Sequence, residues 1–336
     1  MKPEVSVVIP CYNEVLYIRG CVESLLSNGF SQDSLEIIIV DGQSNDGTLE
    51  VLEQLKGTYA QVKILHNPLR ITPRSLNIGV YAAKGKYTLI SSAHASFEKG
   101  YITTLLDVLH KNPEALAAGG VMQTQVKQSN PVSESIRTVL MHPVGVGNAM
   151  FRTGVEEMVS VDTVPFGIYQ TEVLKRAGAY DERLIRNHDM ELSKRILRSG
   201  GKILLTPEAV CIYYSRETFK AMSVNNYRNG KWNMKTVWIT KTFSSLSVRH
   251  FIPLAFVGAC CLPVLLAALF WNPLWFLGTA CILLTYWLTL TAVALKARNG
   301  KNNFFLVIVA FTMLHFSYGI GSIVGLLSLP FTSRKT

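Results

Sequence analysis

Glu36–Thr48 reads EIIIVDGQSNDGT, and this stretch decides how the N-terminal part folds. Ile37, Ile38, Ile39 and Val40 form a short, β-branched, wholly apolar run. Such a run suits a strand covered on both faces by helices. It stops at Asp41-Gly42. Ser44, Asn45 and Asp46 follow, all turn or helix-capping types, and a helical pattern starts at Thr48. A carboxylate at the C-terminal end of a buried parallel strand stands where open α/β sheets bind ligands. Asp41 reads equally well as a turn residue or a ligand residue. Asp46 reads first as a helix cap.

The neighbouring segments repeat the pattern. Val5–Pro10 is an apolar strand, followed by the loop Cys11-Tyr12-Asn13-Glu14 and an amphipathic helix over Val15–Leu26. A helix over Thr48–Leu55 leads to a strand at Val62–Leu65. Ile71–Ala83 reads as a helix with Thr72 as N-cap and Pro73 in first position. Tyr87–Ile90 is a fourth strand, ending at Ser91-Ser92-Ala93-His94. Alternating strands and helices with right-handed crossovers make an α/β fold with a doubly wound, mostly parallel sheet. Beyond it, Tyr101–His110 and Thr171–Ala177 read as helices, and Ala115–Gln123, Val159–Thr163 and Lys202–Leu205 as strands. Ser129–Thr153, polar and glycine-containing, reads as a loop or flap over a site. Asn187-His188-Asp189 precedes a helix over Met190–Ser199.

Charge and hydropathy divide the 336 residues unevenly. After Glu217 there is no Asp or Glu, so the net charge of +10 belongs largely to the C-terminal third. Basic residues flanking long apolar runs point to a membrane rather than to nucleic acid, for which no reading motif is present. Three uncharged runs, residues 251–271, 274–295 and 304–329, each meet the length of about 20 residues that a bilayer core requires. Before them, residues 216–250 mix Lys and Arg with Tyr and Trp, a composition suited to the headgroup layer. Lys296, Arg298 and Lys301 in the second connection put that connection, and with it the N-terminal part, on the cytoplasmic side. Arg334 and Lys335 then fall on the far side, unless the third run is re-entrant. The six cysteines show no metal or CxxC spacing and read as buried apolar groups in a reducing compartment. The N-terminus, which leads straight into a strand, shows no signal-peptide pattern. The expected organisation is therefore a domain over 1–215, interfacial helices over 216–250 and a membrane region over 251–330.

VSVVIPCYNE, EIIIVDGQSNDGT, LNIGVYAAKGKY and a helix opened by NHDMEL, in this order, resemble the inverting family 2 glycosyltransferases of the GT-A fold. NPLRITPRSLNIGV, SAHAS, HPVGVGNAMFR, VDTVPFG, GAYDERLIRNHDMEL and LHFSYGIGSIVGLL extend the resemblance to the membrane-anchored succinoglycan and exopolysaccharide branch. It covers essentially the whole chain. It implies that Pro10, Tyr12 and Glu14 line the nucleoside of a UDP-sugar and that Asp41 accepts from the uracil N–H. It also implies a motif at the fourth strand that binds the donor and a divalent ion, Mn²⁺ or Mg²⁺. Here that motif is Ser92, Ala93 and His94, where relatives read Asp-Ala-His. His94 is left as the metal ligand, better suited to Mn²⁺, and metal dependence is expected to be weak. Asp189 becomes the base that takes the acceptor proton, with Asp162 and His188 flanking the acceptor.

Processive relatives carry Q-x-x-R-W, which Tyr227–Trp232 does not match, so a single addition is expected. Arg228, Lys231 and Trp232 then meet the lipid side of the acceptor. The expected activity is transfer of a hexose, glucose first, to a polyprenyl-diphosphate-linked saccharide in exopolysaccharide or capsule assembly, at a bacterial inner membrane and alongside other assembly proteins. The alternatives are a polyprenyl-phosphate glycosyltransferase and a weakly active or non-catalytic subunit of such an assembly.

Overall fold

The computed structural model describes residues 2–333. Arg334 and Lys335 lie outside the described residues. In chain order the elements are β1 (Val5–Cys11), α1 (Ile18–Leu26), β2 (Leu35–Asp41), α2 (Thr48–Thr58), β3 (Val62–His66), α3 (Thr72–Ala82), β4 (Tyr87–Ile90) and β5 (Ala95–Phe97). Then come α4 (Tyr101–Lys111), β6 (Ala115–Gln125), α5 (Pro131–Leu140), α6 (Pro143–Val146), α7 (Met150–Thr153), β7 (Val159–Ser160), β8 (Ile168–Gln170), α8 (Thr171–Arg176), α9 (His188–Arg198) and β9 (Lys202–Tyr214). The C-terminal helices are α10 (Phe219–Thr240), α11 (Ile252–Phe270), α12 (Trp275–Lys296) and α13 (Phe304–Leu327).

By contacts the chain divides into two units. One comprises the residues up to Gln123 together with Met150–Tyr214. The other comprises Thr124–Ala149 and the chain from Ser215 on.

The first unit is built on a sheet of order β3-β2-β1-β4-β8-β6-β9-β5, with β7 paired to β9. The strands β3, β2, β1 and β4 run parallel, and β8 adds to β4 antiparallel. β2 is buried along its whole length, which its unbroken β-branched run requires of a strand covered on both faces. Its alternate residues serve two faces. Ile37 and Ile39 join the large cluster with Val5, Val7 and Ile9 of β1, and Ile38 and Val40 pack against Ala83.

Three local expectations are corrected. α1 begins at Ile18 rather than Val15; before it, Asn13 lies at positive φ and the backbone N–H groups of Asn13, Glu14 and Val15 donate to Ser44, Thr48 and Asp46, which hold this stretch against the start of α2. The N-cap of α3 is Ile71, with extended backbone and no side-chain cap, so Thr72 is the first helical residue and Pro73 the second. Ser129–Thr153 is not a loop. It holds α5, α6 and α7, and α5 starts with a capping box between Asn130 and Ser133.

In the second unit, Ile136 and Val139 of α5 pack with Val307, Ala310, Phe311 and Leu314 of α13 in one apolar cluster. The segments Val248–Phe270, Trp275–Lys296 and Phe304–Leu327 are long and apolar enough to cross a membrane. α10 packs directly on α13 at glycines. A Cβ on Gly230 would stand 2.0 Å from the Tyr318 carbonyl oxygen, and one on Gly321 would stand 2.1 Å from that of Tyr227. Asn233, buried at this crossing, donates from Nδ2 to the Tyr318 hydroxyl (2.8 Å) and to the His250 carbonyl (3.0 Å).

Candidate active site

The polar tail of the opening stretch folds back over the loop after β1. The Ser44 hydroxyl accepts from Asn13 N–H at 2.9 Å, and Thr48 Oγ1 accepts from Glu14 N–H at 2.9 Å. The side chains of Asn13 and Asn45 close a second link, with Asn13 Oδ1 accepting from Asn45 N–H (2.9 Å). Asn13 itself lies in the left-handed region (φ 54°), which asparagine tolerates. Asp46 Oδ1 accepts from both the N–H (3.1 Å) and the hydroxyl (2.5 Å) of Thr48, and the hydroxyl bond holds its carboxyl below the ordinary range. Gly47 is the N-cap of α2, so Asp46 ties the first turn from one position further out.

Asp41 is fully buried. Its Oδ1 accepts from the Ser44 hydroxyl at 2.6 Å, and its Oδ2 accepts from Gln43 N–H at 2.8 Å and Ser44 N–H at 3.2 Å. Of its two roles the structure realises the turn. Asp41 holds the Gln43–Ser44 corner. The exposed groups at this rim are Tyr12, 44% exposed, and Arg70, whose guanidinium lies over the Tyr12 ring 5.4 Å from its centroid. Arg70 also donates to Gln43 Oε1 (3.3 Å). It was not singled out from the sequence, although NPLRIT places it immediately before α3. Pro10, half-buried, pairs in register with Val40 on the same strand ends.

Glu14, on the same loop as Tyr12, reaches toward the end of β4. Its Oε1 stands 3.0 Å from His94 Nδ1, bringing the loop after β1 to the loop after β4. A carboxylate only accepts, so the imidazole donates from Nδ1 in this contact. The Ser92 hydroxyl lies 3.2 Å from Nε2 and 3.3 Å from Nδ1. Two tyrosine rings fix the imidazole edge-on: Tyr17 at 6.3 Å and Tyr213 at 5.6 Å between centroids. Tyr213 sits opposite Ala95 in the β5–β9 pair, and its ring carries the Arg152 guanidinium at 5.4 Å. Tyr17, Tyr213 and Arg152 were also missed in the sequence, because each comes from a different element. Ala93 is buried at 1% exposure and its side chain joins the large core cluster.

On the other side of the sheet, α9 starts at His188 after Asn187 in the left-handed region (φ 62°). Asp189 is exposed in the first turn, where the helix dipole favours a carboxylate. It is a first-turn residue and not the cap. Its negative charge is felt by Tyr169 and Tyr180, whose phenols are pushed up first by burial. Glu191 is committed to Arg195, at 2.8 and 2.9 Å, and is buried. His188 packs edge-on against Tyr180 at 5.6 Å. Burial pushes its pKa down, and its Nδ1 is buried without a partner. Asp162 pairs with Lys194 of α9 at 3.6 Å, and Thr163 shares a hydrogen bond with Ser193, whose hydroxyl donates to the Asp189 carbonyl. Asp162 and Asp189 are thus tied to the same helix. Arg228, Lys231 and Trp232 belong to the second unit, on α10.

Residues 6–161 match the family described as glycosyl transferase family 2. A transferase of Methanococcus voltae, dolichyl N-acetyl-alpha-D-glucosaminyl phosphate 3-beta-D-2,3-diacetamido-2,3-dideoxy-beta-D-glucuronosyltransferase, is 30% identical over 223 residues. That alignment spans 64% of this chain and 68% of the relative. The chain belongs to glycosyltransferase family 2. It is also 26% identical to the succinoglycan biosynthesis protein ExoA of Rhizobium meliloti, over 94% of this chain and 92% of that one. Among solved structures, that of GalNAc-T7 with UDP, GalNAc and Mn²⁺ overlays with a TM-score of 0.51 at 18% identity, covering 64% of this chain and 44% of that chain. This likeness supports the GT-A fold, and the chain is accordingly a family 2 glycosyltransferase of GT-A fold.

Proposed function

We propose that this family 2 glycosyltransferase transfers a hexose, glucose first, from a UDP-sugar to a lipid-linked saccharide with inversion at the anomeric carbon. The observation that carries the reading is Asp189: an exposed carboxylate in the first turn of α9, on the same unit as the Glu14–His94 contact at the strand ends. In a single displacement the acceptor hydroxyl attacks the anomeric carbon as the bond to the UDP oxygen breaks. Asp189 receives the hydroxyl proton, and UDP leaves with the bonding pair. The first turn of α9 is a favourable place for its carboxylate. Asp162, paired with Lys194, and His188 stand beside it on the acceptor side. Tyr12 with Arg70 gives the nucleoside a flat, cationic rim, and Arg152 on Tyr213 offers the diphosphate a planar cation suited to phosphate.

The fold family implies a divalent ion at the end of β4. Among the described residues no three His, Cys, Asp or Glu side chains form a metal cluster. His94, with Glu14 Oε1 3.0 Å from its Nδ1, is the strongest donor in the Ser92–His94 motif. His94 would hold the ion together with the donor's own diphosphate oxygens. When bound, the ion would neutralise charge on the leaving diphosphate.

The acceptor reading rests on the relatives, one named for a dolichyl-linked sugar phosphate acceptor and one for succinoglycan biosynthesis. It rests also on the three apolar helices and the basic, acid-free C-terminal third. In this proposal the helices anchor the enzyme in a bacterial inner membrane with the catalytic unit cytoplasmic. Arg228 and Lys231 face the lipid phosphate, Trp232 lies in the headgroup layer, and the acceptor is a polyprenyl-diphosphate-linked saccharide. Apart from Thr124–Ala149, the catalytic unit ends near residue 215, with interfacial helices before the spans. A donor screen on membranes carrying the full chain tests the proposal by UDP release. One UDP-hexose should release UDP only with the lipid-linked primer. A lipid monophosphosugar formed without primer would instead make polyprenyl phosphate itself the acceptor.

A further inference from the structure

Both ends of α13 are tied to residues that precede the first apolar helix, all within the second unit. At its start, Asn303 N–H donates to Ser135 Oγ (3.2 Å) and Asn302 Nδ2 to Thr138 Oγ1 (3.0 Å), both on α5. Past its end, the Thr332 carbonyl accepts from Trp238 Nε1 of α10 (3.3 Å). Between these points α5, α6 and α10 line it in turn. Val307, Ala310, Phe311 and Leu314 pack in one cluster with Ile136 and Val139 of α5. His315 Nε2 lies 2.8 Å from the Val144 carbonyl oxygen of α6. Residues 318–325 then lie against residues 227–234 of α10. We propose that α13 does not cross the membrane: it lies along the face from which the chain enters, and the chain crosses only twice, through the hairpin of α11 and α12. The number of crossings follows from these contacts; which face is cytoplasmic rests on the reading given above.

A helix that crosses leaves its ends on opposite faces of a hydrocarbon core about 30 Å thick. Residues before α11 have not yet entered that core, so an element they hold at both ends stays on their side. The exception would be α10 crossing alongside α13, and its composition forbids it. α10 carries Lys220, Arg228, Lys231 and Lys235, and it is not among the helices apolar enough to span. The chain also doubles back: after Lys241 it returns to Asn233, whose Nδ2 binds the His250 carbonyl just before α11 starts. α13 meets the hairpin at its open end. A Cβ on Gly319 would stand 2.4 Å from the Pro253 carbonyl oxygen, Phe316 packs edge-on against Phe256 (5.3 Å), and the Tyr286 hydroxyl lies 3.0 Å from His315 Nδ1. At about 1.5 Å per residue from Phe304, a crossing helix would be roughly 22 Å deep at Gly319, where α13 meets the first turn of α11. At the closed end, Trp271 and Trp275 flank the Asn272-Pro273 turn, a placement suited to the opposite headgroup layer. With two crossings, Arg334 and Lys335 no longer oppose the positive-inside rule. α10, with Lys235 over the Trp232 ring at 5.3 Å, and α13 then form one interfacial pair whose basic side suits headgroup phosphates.

The test uses the full chain in a bacterial inner membrane, with a short epitope tag before Met1, after Thr336 or after Asn272, one per protein. Protease is added to spheroplasts, where it reaches the outer face, or to inverted vesicles, where it reaches the inner one. The tags before Met1 and after Thr336 should both be lost in inverted vesicles and both survive in spheroplasts, and the tag after Asn272 should do the reverse. A tag after Thr336 that is lost in spheroplasts while the one before Met1 survives means three crossings and overturns the proposal. A tag after Asn272 that behaves like the terminal tags overturns it as well, because the hairpin then does not cross. If the terminal tags are lost in spheroplasts and the Asn272 tag survives there, two crossings stand and the cytoplasmic placement of the catalytic unit falls instead. Should the insertion after Asn272 spoil folding, Asn272→Cys replaces it. Its labelling by a membrane-impermeant maleimide added to spheroplasts, judged against wild type, is expected, and no labelling there with labelling in inverted vesicles overturns the proposal when the terminal tags face inward.

Discussion

Asp41 and Asp189 show what separates two carboxylates that look alike in sequence. Each ends or begins an element and each is flanked by small polar residues. Asp41 is spent on its own turn, with both oxygens taken by Gln43 and Ser44, whereas Asp189 is exposed. The difference lies in three dimensions: the N–H groups that satisfy Asp41 are two and three residues away in a tight corner that sequence spacing does not fix. Asp41→Ala would leave those groups buried without partners, costing about 2 kcal/mol of stability. Thermal melting should show the loss, and Asp41→Asn should recover part of it. Because Ser44 also binds Asn13 N–H, the Asp41→Ala variant should bind UDP more weakly as well. An Asp41→Ala protein that melts like wild type would mean that Asp41 does not hold this corner.

At the scale of elements, the β1–β2 core was readable because two adjacent apolar runs leave few alternatives. A second feature there has a pH consequence. Glu36 is buried between the strands, and burial alone would raise its pKa. Bonds from Lys63 Nζ (2.5 Å), the Ser6 hydroxyl (2.5 Å) and Lys84 N–H (2.7 Å) outweigh that and lower it. A folded pKa below the unfolded value of about 4.3 means the contribution is full above that pH and is lost as pH falls through the lower folded value. Glu36→Gln should be less stable at neutral pH and lose less stability on acidification. Parallel acid-melting slopes for the two proteins would contradict this.

The contact of α10 with α13 is the other element-scale prediction. Gly230→Ala and Gly321→Ala each drive a methyl group into a backbone carbonyl of the facing helix, so each should lower the melting temperature by several degrees. Gly258→Ala, with open space around its Cβ, should not. The helix α5 was not read because its polar residues suggested a loop. The signal was present in Val132, Ile136, Val139 and Leu140, an apolar stripe at helical spacing behind an Asn-Pro start.

At the scale of the whole chain, the alternation of strands and helices, the charge asymmetry and the three apolar runs conveyed the architecture. The contact partition did not follow the chain order. Thr124–Ala149 lies between two pieces of the sheet unit in sequence and clusters with the C-terminal helices. Linear reading places such an insertion with its neighbours, because only packing assigns it elsewhere. The position of Asp189 in the first turn of α9 was legible, because the local sequence NHDMEL carries it. What was illegible is where partners converge from several elements, as with Tyr17, Tyr213 and Arg152 around His94 and the contact of Glu14 with that ring. The central claim is that Asp189 is the base of a UDP-sugar transferase. UDP release by the full chain in membranes, with UDP-hexose and lipid-linked primer, measures it most directly when wild type and Asp189→Asn are compared. Asp189→Asn should lose about 10³-fold in turnover while binding UDP as wild type does. An Asp189→Asn enzyme that turns over within a few-fold of wild type would contradict the account.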